Sequence, residues 1–334
     1  MKKIILIVIG VAIIVAVGLF VYGKVFAKNG SPLSSIANLG SSNKGLSGNH
    51  YYSFNGDYYY SIPDSYVVND VAFPGVQVVI RKGEDLKVTT VDELYSKDVI
   101  TVQPFKPTLT DKEAFQSYVN NNLKDQQSKN LKGDVTVTFG REDNVDTAIL
   151  KVTDGGNPVR YQYIYNSDQP IVVVAKDKSE SFDGVVRSLS PVRANKEISE
   201  DYPGIRSGIA SMNTLFKTKM IDDLYRSSSK DLKAKISKDE LRQSIDKATT
   251  ALSANTSTFG AVGAGNEVST SLLFTQTSQD GKTSTNAIGI MTIKKEDGAW
   301  KLAGLSLPSN DAFKSGVASP APAPSPTPTP AAKK

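Results

Sequence analysis

The stretch from Val268 to Leu307, VSTSLLFTQTSQDGKTSTNAIGIMTIKKEDGAWKLAGLSL, predicts three consecutive antiparallel strands. Its apolar runs are separated by Asp280-Gly281 and by Asp297-Gly298. An Asp-Gly pair between alternating residues is a strong hairpin signal, because both turn positions need a positive φ. Every second residue, such as Leu272 and Phe274, is predicted to face a core.

Helices are predicted just before these strands. One should begin near Asp201 and Pro203, and the capping box Ser237-Lys238-Asp239-Glu240 should begin another. Two phrases, DDLYRSSSKDLKAKISKDELRQSI (Asp222–Ile245) and IKKEDGAWKLAGL (Ile293–Leu305), resemble the nuclear-transport-factor-2-like superfamily, specifically its exported domains without assigned activity. The resemblance implies a cone-shaped domain over residues 197–310, with helices packed into the concavity of a curved antiparallel sheet.

A second α+β domain is predicted over residues 50–192. It opens with a hairpin whose turn is Asn55-Gly56-Asp57, continues with a helix capped near Thr110 and a strand meander, and closes with the helix Phe182–Leu189. This order resembles the PsbP-like fold, which implies an α/β/α sandwich with an antiparallel sheet. That family usually has a tryptophan where Tyr66 stands here, so a generic α+β domain is the alternative.

The amino terminus is predicted to be a membrane anchor, residues 1–28. Ile4 to Gly23, IILIVIGVAIIVAVGLFVYG, is uncharged, and at about 1.5 Å per residue it spans the ~30 Å core of a bilayer. Lys2 and Lys3 favour a cytoplasmic amino terminus, so the remaining chain is expected on the other side of a single-pass cell membrane protein. The alternative is a secreted protein cleaved near Ala27, although cleaved apolar segments are usually shorter.

Low-complexity segments flank the two predicted domains. Residues 29–49 are rich in Gly, Ser and Asn and are predicted to be a flexible linker. Residues 315–334, SGVASPAPAPSPTPTPAAKK, are predicted to be a disordered Pro/Ala-rich tail, with an adhesive or wall-threading role as the alternative.

Charge and composition restrict the chemistry. The formal charge is +5, but six of the 39 basic residues lie in the terminal segments, where no acid stands, so the body is nearly neutral and no nucleic-acid partner is predicted. The chain has one histidine, His50, and no cysteine. The three predicted strands of 268–307 contain no Asp, Glu or His. No catalytic residue, metal ligand or cofactor is therefore predicted.

Aromatic residues are the candidate contacts with a partner or ligand, because tyrosine and tryptophan combine a flat apolar body with a polar tip that suits sugars and protein surfaces. The alternative for the tyrosines is ordinary packing across a hairpin. For the tryptophan it is a core position against the stripe of Leu241, Ile245 and Leu252. The candidate residues are Tyr51, Tyr52, Tyr58, Tyr59, Tyr60, Tyr66 and Trp300.

These observations predict a non-catalytic, membrane-anchored, extracytoplasmic protein that binds or scaffolds at the cell envelope. Its expected partners are the lipid bilayer, through residues 4–23, and envelope proteins or a cell-wall polymer. The alternative is a small-ligand carrier or an enzyme that uses the cavity of the cone-shaped domain. A carrier requires a pocket with convergent polar groups, whereas a scaffold requires an exposed apolar patch.

Overall fold

The computed structural model describes residues 45–73, 75–84, 99–104, 111–124, 135–142, 145–154, 157–165, 170–176, 180–279, 283–313 and 319–320. The predicted anchor, most of the predicted linker and the tail beyond residue 320 lie outside these residues, as does the turn at Asp280-Gly281. Within the described ranges, no helix is both long enough and apolar enough to cross a membrane.

The described chain is mixed α+β. The strands are β1 (His50–Ser53), β2 (Tyr58–Ser61), β3 (Tyr66–Phe73), β4 (Val76–Arg81), β5 (Ile100–Pro104), β6 (Val135–Glu142), β7 (Val145–Asp154), β8 (Asn157–Tyr165), β9 (Ile171–Lys176), β10 (Ser190–Pro191), β11 (Asn255–Ser257), β12 (Gly260–Ala264), β13 (Glu267–Thr277), β14 (Thr283–Glu296), β15 (Ala299–Ser306) and β16 (Ser319–Pro320). The α-helices are α1 (Lys112–Tyr118), α2 (Glu180–Ser188), α3 (Lys196–Lys217), α4 (Ile221–Arg226), α5 (Lys230–Lys235), α6 (Lys238–Lys247) and α7 (Thr249–Ser253).

These strands form two sheets in which every ladder is antiparallel. The first sheet has the order β3-β4-β5-β9-β8-β7-β6. The second has the order β10-β2-β1-β12-β13-β14-β15, with β11 also paired to β13 and β16 to β14. The predicted α+β class and the predicted meander of β13, β14 and β15 are confirmed.

The opening hairpin, β1 and β2, belongs to the second sheet. Tyr51 is opposite Val262 and Ser53 is opposite Gly260, so β1 lies between β2 and β12. The predicted segment 50–192 therefore contributes three strands, β10, β2 and β1, to the second sheet, and β1 pairs directly with the carboxy-terminal strand β12. Local alternation shows that a strand forms, but it does not show which distant strand supplies its second row of hydrogen bonds.

Two local predictions need correction. The hairpin turn was predicted to have positive φ at Asn55 and Gly56, but among its residues the positive φ is at Asp57, at 48°, in a connection of four residues. Helix α3 begins at Lys196 rather than near Asp201, because the Asn195 side chain accepts a hydrogen bond from the Ile198 amide at 3.2 Å.

Other local predictions are confirmed. Ser237 and Glu240 form the predicted reciprocal capping box at the start of α6. Asp297 and Gly298 have φ values of 53° and 78°, as the tight turn between β14 and β15 requires. The prediction that Pro203 stands at a helix start is wrong, because α3 begins seven residues earlier and Pro203 lies inside it.

The helices α3 to α7 cover one face of the second sheet. The alternate residues Leu272 and Phe274 of β13 face this layer, and both are fully buried with Phe216 and Ile245 of the helices. The aromatic rings of Phe216 and Phe274 meet edge to face, with centroids 6.2 Å apart. Apolar side chains therefore fill the space between these helices and the sheet.

The opposite face of the second sheet packs on the first sheet. Leu273 and Ile288 contact a cluster that includes Val67, Val78 and Ile80. A second cluster joins the hairpin tyrosines to β3, β9 and helix α2. Since β3 contributes to both clusters, it is buried along its whole length.

The first sheet has a helix on each face. Phe115 of α1 packs on Tyr163 and Val172, whereas Phe182 of α2 packs on the side that carries Val173. Neighbouring residues of a strand point to opposite faces, so Val172 faces α1 and Val173 faces α2.

The pairing of β1 with β12 predicts how the carboxy-terminal part behaves alone. Residues 197–313 without the hairpin would expose the edge of β12, and the Tyr202 hydroxyl would lose the Ser53 carbonyl and Asp57 carboxylate oxygens, each 2.7 Å away. We expect this fragment to show no cooperative thermal transition, and a fusion that adds residues 45–62 through a flexible linker to restore one. Equally sharp melting of both proteins would instead show that residues 197–313 fold without the hairpin.

Candidate functional site: an aromatic cleft beside helix α3

One face of the hairpin is buried between the two sheets. Tyr51, Tyr58 and Tyr60 are fully buried there. The Tyr51 hydroxyl donates to Asp70 Oδ2 at 3.1 Å, and the Tyr58 hydroxyl donates to Gln77 Oε1 at 2.5 Å. The rings of Tyr51 and Tyr60 stack with centroids 5.3 Å apart. These three tyrosines join β1 and β2 to β3 and β4.

Tyr66 is buried as well, and the Arg81 guanidinium lies over its ring at 5.7 Å from the centroid. Four of the seven predicted contact residues are therefore packing residues in this structure, because their rings have almost no surface open to a partner. Ordinary packing, the alternative to partner contact, therefore accounts for Tyr51, Tyr58, Tyr60 and Tyr66.

Asp70 is a carboxyl group buried between the sheets. Burial raises the pKa of Asp70 to about 7, and hydrogen bonds from Tyr51 and Ser271 act in the opposite direction. Burial also raises the pKa values of Tyr51 and Tyr60, so the surrounding phenols stay neutral at physiological pH. A largely protonated Asp70 at pH 6 avoids the cost of an uncompensated buried charge.

Asp70→Asn should change the pH dependence of stability. Between an unfolded pKa of about 3.9 and the folded pKa of about 7, the folded state binds the extra proton, so the free energy of unfolding falls as pH rises through this window. The amide cannot ionise, so the variant should match the wild type near pH 3, below the unfolded pKa, and exceed it at pH 8. Each unit of pKa difference contributes about 1.4 kcal/mol.

Urea unfolding at both pH values measures this effect. The exposed Asp239→Asn variant is the control and should keep the wild-type pH dependence. Parallel curves for wild type and Asp70→Asn would show that Asp70 is not the titrating group.

The other face of the hairpin lines an open cleft of about 660 Å³, which we call the aromatic cleft. Tyr52 and Tyr59 are directly opposite each other on β1 and β2, and both line it. His50 joins them, with its ring centroid 6.4 Å from that of Tyr52 and 6.2 Å from that of Tyr59. Because side chains alternate along a strand, one hairpin supplies both the buried tyrosines and these rings.

Trp300 on β15 lines the same cleft from the opposite side. It is half-buried and lies against Gly204 and Gly208 of α3, where an added Cβ would come within 2.9 Å and 3.0 Å of the tryptophan side chain. Trp300 is thus partly buried against the core cluster that includes Leu241 and Ile245, and its side chain also lies on α3. Two glycines one helical turn apart leave room for the ring at this helix surface.

A glycine also supports Tyr52. An added Cβ on Gly263 of β12 would lie 2.7 Å from Tyr52 Cε2, so the ring lies across the backbone of the neighbouring strand. The cleft therefore has aromatic walls that rest on glycine positions in α3 and β12.

The polar groups of the cleft come from the end of α2, the α2–α3 connection, the start of α3 and the hairpin with the residue before it. They include Arg187, Asn195, Glu197 and Asp201. Asp201 forms an ion pair with Lys295. Burial lowers the pKa of His50, so its imidazole is neutral at pH 7. The cleft thus combines aromatic faces with both signs of charge.

Sequence reasoning placed three of these residues among its candidates, namely Tyr52, Tyr59 and Trp300. It missed His50, which it named only as the one histidine of the chain, and it missed the polar residues of α3. The available signal was the position of His50 directly before an alternating strand, which makes it the first residue of β1 rather than of a loop.

A second cleft, of about 550 Å³, lies on the other side of α3 and includes Asp57, Tyr202 and Arg206. Its acid is already paired, since Arg206 Nη1 lies 3.2 Å from Asp57 Oδ1, and Arg193 also lines this cleft. In the ranges covered by the structure, no group of three or more His, Asp or Glu side chains is arranged to hold a metal ion.

Comparisons with known proteins give only distant similarities. No protein-family model and no curated protein matches the chain. The solution structure of cyanobacterial PsbP from Synechocystis sp. PCC 6803 is similar at 16% identity and a TM-score of 0.30, over 46% of this chain and 95% of that one. A crystal structure from Bacteroides thetaiotaomicron VPI-5482 is similar at 12% identity and a TM-score of 0.29, over 81% of this chain and 98% of that one.

The chain thus has a loose similarity to PsbP over part of its length. The nuclear-transport-factor-2-like resemblance of residues 197–310 stays a prediction.

Gly204→Ala should displace Trp300. The new methyl group would overlap the indole ring, so we expect a loss of about 1 to 3 kcal/mol in stability and a red shift of tryptophan emission as the ring moves toward water. The matched control is Gly184→Ala in helix α2, where an added Cβ meets nothing within 4 Å. The control should be neutral or slightly stabilising. Equal effects of the two substitutions would contradict the contact between Trp300 and α3.

Proposed function

We propose that this protein is a non-catalytic, membrane-anchored binding protein of the cell envelope, and that it holds its ligand in the aromatic cleft. One observation carries the proposal: Tyr52, Tyr59 and Trp300, from strands more than 200 residues apart in the sequence, line one cleft together with His50. The volume, about 660 Å³, lies within the range of small-molecule and cofactor sites.

Two other places could hold a partner or ligand: the interior between the second sheet and its helices, and an exposed apolar patch. The distribution of apolar side chains favours the aromatic cleft over both. The interior between the second sheet and its helices is filled by side chains such as Phe216 and Phe274. That packing weighs against the alternative of a carrier or enzyme that uses the inside of a cone. Among the residues described, Met220 is the one large hydrophobic side chain that is exposed, which weighs against docking through an apolar patch.

The membrane-anchored, extracytoplasmic location rests on the sequence. Residues 4–23 have the length and apolarity of one bilayer crossing, and the basic residues before them favour a cytoplasmic amino terminus. The alternative is secretion after cleavage near Ala27. The predicted α/β/α sandwich and the cone-shaped second domain are the finer fold assignments that accompany this proposal.

A single experiment tests both the location and the cleft. The chain has no cysteine, so Glu197→Cys gives one thiol at the rim of the cleft and Met220→Cys gives one exposed thiol elsewhere. A membrane-impermeant reagent that carries a maleimide and a photoreactive group is added to spheroplasts and then illuminated. We expect both variants to be labelled without lysis, and only Glu197→Cys to give a discrete crosslinked product.

Two outcomes would contradict the proposal separately. Labelling that requires lysis would place these residues in the cytoplasm. The same products from both positions, or none from either, would mean that the cleft holds no specific partner.

A further inference from the structure

We propose that the aromatic cleft binds a short stretch of an uncharged saccharide, with Tyr52, Tyr59 and Trp300 as the faces on which the sugar rings pack. This inference rests on the proposed function and names the ligand class of the same site.

The walls present flat aromatic surfaces beside the aliphatic residues Ile198, Ile205 and Val268. Tyr52 and Tyr59 are a directly opposed pair, and Trp300 is held by glycines on α3. A sugar ring has an apolar face of C–H groups and an equatorial rim of hydroxyl groups. A rigid aromatic ring matches the apolar face, and its own polar tip can bond to the rim.

The polar side chains around the walls suit hydroxyl groups. Asn49, Asn195 and Glu197 offer planar amide or carboxylate groups, and Arg187 offers a planar set of donors. Such groups can accept from one hydroxyl and donate to its neighbour. The hydroxyls of Ser61, Ser188 and Ser190 also line the cleft. Some of these groups are already bonded within the protein, as the Ser188 hydroxyl is to the Val185 carbonyl and Asn195 Oδ1 is to the Ile198 amide. A purely apolar ligand would desolvate the remaining polar groups without replacing their bonds to water.

The charges argue against an anionic ligand. Glu197 and Asp201 face Arg187 in the cleft, and Lys295 already pairs with Asp201. The neutral His50 adds no positive charge at pH 7. A phosphate or polyanion would therefore meet at least as much negative as positive charge, whereas an uncharged saccharide avoids this cost.

Trp300 is the only tryptophan of the chain, so its fluorescence reports directly on the cleft. The full-length protein in detergent micelles is titrated with trimers of β-linked N-acetylglucosamine, with trimers of glucose, with sodium phosphate and with a proline-rich peptide. We expect a saturable change in emission with at least one saccharide, little dependence on salt, and none with phosphate.

Three variants separate ring stacking from folding. Tyr59→Phe keeps the flat face and should bind within about threefold of wild type. Tyr59→Leu keeps apolar volume but loses the flat face, and we expect at least tenfold weaker binding. Tyr225→Leu changes a tyrosine of helix α4 that does not line the cleft, and should leave binding unchanged. Thermal melting of each variant confirms that it is folded.

The outcomes distinguish this inference from the proposed function. No saturable response to either saccharide, or equal binding by Tyr59→Leu and wild type, overturns the saccharide assignment. If the Glu197→Cys crosslink then still captures a discrete protein, or the peptide gives the saturable response, the cleft remains a binding site with a polypeptide ligand. Absence of both the crosslink and every fluorescence response overturns the proposed function as well.

Discussion

The pairing of strand β1 with β12 is the contact on which the rest of the structure depends. It brings residues 50–53 beside residues 260–263, and it turns the hairpin into part of the carboxy-terminal sheet. The tyrosines on the inner face of that hairpin then meet β3 and β4 of the first sheet. One short hairpin therefore holds both sheets together, because its backbone pairs with one sheet while its side chains pack on the other.

The buried carboxyl of Asp70 sits at this junction. Its hydrogen bond from Tyr51 links β3 to β1, and the bond from Ser271 links it to β13. A buried polar group stabilises a junction only while its hydrogen bonds are satisfied and its charge is suppressed. Tyr51 and Tyr52 are neighbours on β1, so the residue that bonds to Asp70 stands next to a residue that lines the aromatic cleft.

The position of the cleft explains why a ligand site exists beside a well-packed core. The helices fill one face of the second sheet, and the first sheet covers much of the other, so neither interior is available. Space remains where α3, the α2–α3 connection and the hairpin converge. Glycines on α3 and β12 allow Trp300 and Tyr52 to lie flat there, which replaces aliphatic packing by exposed ring faces.

Much of the architecture follows from local sequence. Capping boxes, Asp-Gly turns and alternating apolar residues depend on neighbours within a few positions, so Ser237, Asp297 and the stripe of β13 could be assigned directly. The same patterns identified Tyr52, Tyr59 and Trp300 as aromatic candidates. The tertiary structure decided which of the hairpin tyrosines are buried, where Trp300 packs, and that His50 faces the cleft. Those outcomes depend on the pairing of β1 with β12 and on the approach of α3 to β15. Residues as far apart as 50 and 300 are connected by no local spacing, so their proximity leaves no periodic signal in the sequence.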